Sequence, residues 1–354
     1  MKPRTNRYSW RMVAPGQPLE RFPDAGRTPE ADEVLVEVAG CGLCHTDLGF
    51  IDGTVRTRSK LPLVLGHEIS GRVTEAGEGA ESWIGRDVLV AAVIACGHCD
   101  LCNAGRGNVC VNQKMPGNDL DGGFATHVTV PAAGLFPIQN LPDRYELADL
   151  CVIADAVTTP LQAVRRAEVR EGDFVVVVGA GGIGAYAVQI AAASGATVLA
   201  VDIDDDRLSL LREHGASATV NARDRSARDI RDSVREYAAS SDISRTGWKI
   251  FECSGTPMGQ ETAYGMLGPA AILAVVGFTM EKVTIRLSNL MAFDATAFGS
   301  WGCPPERYPE AIQLVTSGKV DLAPFIRKAP MANIDQALEE AHRRGSAKRT
   351  ILIP

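Results

Sequence analysis

Apolar and polar positions alternate from residue 32 to 38, the period of a strand with one face in water. Shorter runs of the same kind follow at 88–94 and 125–130, separated by Gly, Pro and Asn. This spacing predicts an irregular, mostly β first part. Near residue 150 the pattern changes. Helix-like text over 147–169 leads into Asp173-Phe174-Val175-Val176-Val177-Val178. Four consecutive valines predict a strand buried on both faces, as in a parallel sheet. A helix over 183–194 ends at Gly195, a second buried strand spans 197–201, and a second helix over 207–214 closes at Gly215. Later strands are expected at 249–252 and 271–276. Such alternation predicts an α/β fold with a doubly wound parallel sheet. After about residue 295 the text turns irregular and Pro-rich, then ends in a helix over 334–343 and a strand over 350–353.

The chain has 354 residues, enough for two domains with separate cores. Its 35 glycines and few aromatics favour a Gly-rich α/β protein over an aromatic β-barrel. The formal charge of −7 makes nucleic acid a poor partner, so an anionic ligand needs a local basic pocket. No run of 18 apolar residues predicts a membrane span. No apolar stretch follows the basic residues Lys2, Arg4 and Arg7, which argues against a secretory signal and for a cytoplasmic protein. The nine cysteines are then better read as metal thiols than as disulfides.

Cys96, Cys99, Cys102 and Cys110 form C-x2-C-x2-C-x7-C. Four thiolates so spaced converge on one ion, and a closed four-sulfur zinc site is structural. A second constellation is Gly40-Cys41-Gly42-Leu43-Cys44-His45-Thr46-Asp47, followed after 18 residues by Gly66-His67-Glu68. Cys44 and His67 are good zinc ligands, although spacing does not choose between Cys41 and Cys44. Asp47 can orient a ligating imidazole. The Thr46 hydroxyl suits passing on a proton. Gly179-Ala180-Gly181-Gly182-Ile183-Gly184 is G-x-G-x-x-G between a buried strand and a helix, the context of a dinucleotide loop. The helix N-terminus offers free N–H groups to a pyrophosphate. The next strand ends at Asp202, 202 − 184 = 18 residues past the last glycine. A carboxylate there accepts from both ribose hydroxyls and repels a 2′-phosphate, so NAD is expected rather than NADP.

These three features, in this order, resemble the zinc-dependent medium-chain alcohol dehydrogenases over nearly the whole chain. The resemblance implies a GroES-like catalytic domain (1–154 and 295–354), a Rossmann NAD-binding domain (155–294), and an active site between them. It implies two zinc ions per chain. Cys44 and His67 match catalytic-zinc ligands, Glu68 an adjacent carboxylate, and the four-cysteine run the structural site. Thr46 matches the relay hydroxyl, His45 a position near the pyrophosphate, and Arg349 a basic residue on the cofactor phosphates. Two departures stand out. Asp155 occupies the position where the family usually has a third, cysteine ligand. Gly49 stands where many members end the relay in a histidine. A homo-oligomer, a tetramer by likeness to bacterial relatives, is implied as well.

Longer stretches are most similar to the 6-hydroxycyclohex-1-ene-1-carbonyl-CoA dehydrogenase branch of that family, which serves anaerobic aromatic degradation. They include Gln113-Lys114-Met115-Pro116-Gly117-Asn118-Asp119, 247–255, 287–293 and Trp301-Gly302-Cys303-Pro304-Pro305. That likeness implies a cyclic acyl-CoA substrate whose ring hydroxyl becomes a ketone. Candidates for its anionic part are Arg56, Arg58, Lys60, Lys114 and the Arg343-Arg344 pair. Phe50, Met115, Phe293 and Trp301 are candidates for a ring pocket. The rival readings are a zinc dehydrogenase of another secondary or allylic alcohol, and a non-enzymatic NAD-binding protein with structural zinc only. Such a scaffold has no need of Cys44, His67 and Glu68.

Overall fold

The computed structural model describes residues 7–343 and 348–354. These fold into two compact units: one takes residues up to 158 with 302–316 and 325–354, the other 159–301 with 317–324. Asp155 thus belongs to the first unit, and the second runs seven residues past the expected 294.

The first unit opens with strands Ser9–Met12 (β1), Glu20–Phe22 (β2), Glu33–Gly42 (β3), Leu63–Val64 (β4), Glu68–Ala76 (β5), Asp87–Val90 (β6), His127–Pro131 (β7) and Leu135–Pro137 (β8). Helix His45–Ile51 (α1) follows β3, and the single turn Asp100–Asn103 (α2) lies in the cysteine run. The expected alternation in β3 holds only in part: Val34, Leu35 and Val36 are all buried, and Glu37 alone is exposed before buried Val38.

In the second unit the strands are Phe174–Val178 (β9), Thr197–Asp202 (β10), Ala218–Asn221 (β11), Lys249–Glu252 (β12), Ile272–Val275 (β13) and Thr296–Gly299 (β14). Among the described residues they form one parallel sheet in the order β11-β10-β9-β12-β13-β14. All five residues of β9 are buried, as its valines require. The order reverses between β9 and β12, the position where such sheets open a ligand crevice at their carboxyl ends. The helices include Thr158–Arg166 (α3), Gly184–Ala193 (α4), Asp205–Glu213 (α5), Ala227–Ser240 (α6) and Pro257–Gly265 (α7).

Helix Ser288–Ala292 (α8) precedes β14 in the second unit, and the first unit is completed by Tyr308–Thr316 (α9), Ile326–Pro330 (β15), Ile334–His342 (α10) and Arg349–Ile353 (β16). Strand β16 inserts between β15 and β3.

Two expectations need correcting. The helix-like text over 147–169 is not one helix: a 3-10 turn over Leu147–Ala154 breaks at Asp155 before α3 begins. The stretch after 295 is more regular than its prolines imply, because β14, α9 and β15 lie within it.

Candidate functional site

Strand β3 delivers Cys44 to the start of α1, and β5 begins at Glu68, one residue after His67. The strands pair with Gly42 opposite Glu68. A side chain on Gly42 would press on the Glu68 carboxylate and Cβ, so glycine there leaves room for the acid. The break at Asp155 points a third group the same way. Ligand atoms of Cys44, His67, Glu68 and Asp155 all lie within 4.8 Å of one another.

Asp155 Oδ2 is 3.6 Å from Cys44 Sγ and 3.7 Å from His67 Nε2. The imidazole–carboxylate separation is too long for a good hydrogen bond. Both separations are close to those of ligands sharing one ion at zinc distances of about 2.0–2.3 Å. The donors are one thiol, one imidazole and two carboxyls, a set that zinc accepts. Burial would push the His67 imidazolium down, but Asp47 and Asp155 outweigh it and hold it well above the ordinary value. The cluster therefore favours a positive charge at this point, which a divalent cation supplies. These residues fit a zinc ion.

Asp47 is fully buried and accepts N–H bonds from Cys44 at 2.9 Å and Gly66 at 3.1 Å. Those bonds fix the loop, and its Oδ1 lies 3.4 Å from His67 Nδ1, within ion-pair reach of the ring. Thr46 Oγ1 is half-buried, 3.7 Å from Cys44 Sγ, while His45 is exposed at the first position of α1. Cys41 is not in the cluster. It is fully buried in β3, where burial pushes its thiol well up. Arg349, expected near cofactor phosphates, is buried in the first unit, donating to Glu68 and to the Leu43 carbonyl.

The cysteine run also closes on itself. Cys99 Sγ is 3.5 Å from Cys102 Sγ and 3.7 Å from Cys110 Sγ, and Cys96 Sγ is 3.9 Å from Cys102 Sγ. A tetrahedral ion at about 2.3 Å from each sulfur sets them about 3.8 Å apart. The His98 N–H lowers the Cys96 thiol to about 6, which offers a thiolate near neutrality.

In the second unit, Gly179 takes φ 90° at the end of β9, and a side chain there would strike the Ser254 backbone at 2.5 Å. Asp202 ends β10 and holds the glycine loop, accepting from Ala180 N at 2.6 Å and Asp204 N at 3.0 Å. Arg207 Nη1 lies 3.6 Å from it. Gly181, with nothing near its missing side chain, leaves the loop open to a ligand; Gly182 and Ile183 lead into Gly184, the first residue of α4.

Sequence reading missed Glu252. It is fully buried at the end of β12, and its Oε1 accepts from the N–H groups of Ser254 and Gly255 and the Ser254 hydroxyl. It holds the turn that packs on Gly179. A buried acid followed by Cys253-Ser254-Gly255 at a strand end was the available signal.

The substrate candidates divide. Arg56 and Lys60 are exposed, while Arg58 is paired with Asp119 at 3.5 Å. Lys114 is exposed, Arg343 pairs with Glu339, and Arg344 lies outside the described residues. Phe50 and Met115 are core residues of the first unit, and Phe293 packs on the core of the second. Packing against neighbours, rather than an open pocket, accounts for these three. Trp301 is half-exposed.

Comparison with known proteins gives two family models: an alcohol dehydrogenase GroES-like domain over 30–140 and a zinc-binding dehydrogenase domain over 182–317. An alcohol dehydrogenase of Geobacillus stearothermophilus is 30% identical, covering 87% of this chain and 88% of its own. Galactitol 1-phosphate 5-dehydrogenase of Escherichia coli (strain K12) is 30% identical, covering 91% and 93%. An Escherichia coli CFT073 alcohol dehydrogenase solved with NADH superposes with a TM-score of 0.84 at 26% identity, over 98% of this chain and 99% of that one.

Proposed function

This chain belongs to the zinc-dependent medium-chain alcohol dehydrogenase superfamily, and on that premise we propose that it oxidises a secondary ring alcohol carrying an anionic group, a cyclic acyl-CoA ester. It is an oxidoreductase that acts on CH–OH groups with NAD and zinc. The observation that carries the reading is the convergence of Cys44, His67, Glu68 and Asp155.

Bound zinc supplies Lewis acidity toward an alcohol oxygen, and bound NAD supplies a hydride acceptor. In this reading Cys44, His67 and Asp155 hold the ion, and Asp47 keeps His67 turned toward it. The Thr46 hydroxyl takes the substrate proton. With Gly49 in place of a histidine, the proton passes on through exposed His45 or directly to water. The loop of Gly179, Gly181, Gly182, Ile183 and Gly184 receives the pyrophosphate, and Asp202 the adenosine ribose. Asp155 donates less electron density than a thiolate, which leaves the ion a stronger acid. Cys96, Cys99, Cys102 and Cys110 hold a second, structural zinc.

The CoA assignment is supported by the sequence likeness and by exposed Arg56 and Lys60, in the loop after α1. A polyol phosphate is the second reading, favoured by the likeness to galactitol 1-phosphate 5-dehydrogenase. Association through the Rossmann unit is supported by exposed Phe278, Met280, Leu287 and Met291 in the stretch that joins β13 to β14. Among the described residues no single helix is long and apolar enough to cross a membrane. A cytoplasmic setting is supported by the free cysteines. The test is NAD reduction with 6-hydroxycyclohex-1-ene-1-carbonyl-CoA, its free acid, polyol phosphates and simple secondary alcohols. A preference for the CoA ester that weakens with salt is expected. Equal rates with the free acid would remove the CoA reading, and no NAD reduction with any alcohol would remove the whole proposal.

A further inference from the structure

The peptide carbonyl that precedes Asp155 is held by two hydroxyl groups. Tyr308 donates to Ala154 O at 2.8 Å, and Thr158 Oγ1 donates to it at 2.9 Å. The Tyr308 oxygen also accepts the Ala92 N–H at 3.1 Å. Its ring is 1% exposed and stacks on Phe136, with centroids 4.5 Å apart and planes 12° from parallel. Neither ring nor hydroxyl can swing without losing these contacts.

Asp155 itself leaves the 3-10 turn at φ −135° and ψ −54°, outside the helical well. A regular helical ladder therefore does not set the direction of its side chain. The orientation of the 154–155 peptide sets it instead. Small rotations of that plane move the carboxylate by more than the roughly 0.2 Å that metal–ligand distances tolerate.

We propose that Tyr308 is a positioning residue for Asp155, fixing the peptide from which its carboxylate reaches toward Cys44 and His67. The proposal rests on the reading of Asp155 as a metal ligand. Burial pushes the Tyr308 hydroxyl well up, so it stays a neutral donor at any working pH. Nothing in the local sequence announces this role, because residues 154 and 308 meet only in the fold.

The test uses the full-length, zinc-loaded protein and its cobalt-substituted form. Zinc affinity at each site is read by competition with a chelator. The cobalt spectrum reports ligand geometry at the mixed-ligand site. In Tyr308→Phe, affinity at the Cys44–His67–Asp155 site is expected to fall roughly 10–100-fold, with a shifted cobalt spectrum. The four-cysteine site should be unchanged. Thr158→Val removes the other donor to the same carbonyl, spares the Ala92 N–H, and should act in the same direction. Wild-type affinity and spectrum in both variants, with only a lower melting temperature, would overturn the proposal and leave Tyr308 a packing residue. Asp155→Ala separates the two layers. If it binds metal as the wild type does, the ligand reading falls and this inference with it. If it loses metal while Tyr308→Phe and Thr158→Val do not, only the inference falls.

Discussion

Arg349 Nη1 donates to Glu68 Oε1 at 2.8 Å, and their side chains are 5% and 0% exposed. The strands make the pair: Glu68 begins β5, Arg349 begins β16, and both flank the end of β3. Burial pushes the Glu68 carboxyl up to about 7, although Arg349 pulls it down. Arg349→Met leaves that carboxylate buried without its counter-charge. The expected loss is about 3–5 kcal/mol, because breaking a buried pair from one side strands the other charge. Adding Glu68→Gln should recover part of it. Denaturant midpoints at unchanged slope measure both. A single variant within about 0.5 kcal/mol of wild type would show that the pair holds nothing together.

His342 joins α10 to the end of α1. Its Nε2 lies 2.9 Å from Asp52 Oδ1, and its Nδ1 lies 3.0 Å from the Leu338 carbonyl. Both partners are acceptors, so both ring nitrogens must carry protons. Partial burial pulls the imidazolium down, but Asp52 and the Leu338 carbonyl outweigh it and raise its pKa. A raised native value means the contribution is fully present below the ordinary 6.5 and is lost as pH climbs through the raised value. For so exposed a pair the effect is at most about 1 kcal/mol. His342→Gln should therefore flatten the pH dependence of stability above 6.5 without changing it below pH 5. An unchanged profile would show that the pair does not titrate with folding.

Four valines made β9 legible, and the glycine loop and Asp202 followed from it. Cys44, His67 and the cysteine run could be read because metal ligands must be Cys, His or carboxylate at short spacings. The break at Asp155 could not be read, since the residues that hold the 154–155 peptide include Tyr308. Helix α6 was legible but missed. Ile230, Val234 and Ala238 stand four apart behind the Ser226–Asp229 capping box, and all three are buried. Among the ring-pocket candidates Phe50 and Met115 lie in the core, as a lone Phe or Met more often does.

Asp202 should set the choice of dinucleotide. Its carboxylate ends β10, and Arg207 stands 3.6 Å away. Removing the acid deletes hydrogen bonds to the ribose and releases a cation suited to a 2′-phosphate. Asp202→Ser should lower kcat/KM for NAD by roughly 10–100-fold, the worth of one charged hydrogen bond or more, and raise it for NADP. The carboxylate also braces Ala180 N, so some loss with both cofactors is expected. The readout is the ratio of the two kcat/KM values. A ratio equal to wild type would show that Asp202 only braces the loop.

The four-cysteine lobe should depend on its metal more than any other part of the fold. Residues 96–110 hold two short turns, α2 and the 3-10 turn Gly107–Val109, whose buried residues are Gly107 and Asn108, so little apolar core supports the loop. The sulfurs carry it instead, and Cys110 Sγ accepts N–H bonds from Cys96 and Asn112 as a thiolate does. In small zinc lobes the binding energy is the folding energy. Cys102→Ser is expected to remove one zinc per chain and bring amide exchange over 96–110 close to unfolded rates. Strand β9, buried in a separate core, should keep its protection. Metal analysis and hydrogen exchange on the same sample decide it. Full protection of the lobe in metal-free protein would mean that its backbone hydrogen bonds hold it without the ion.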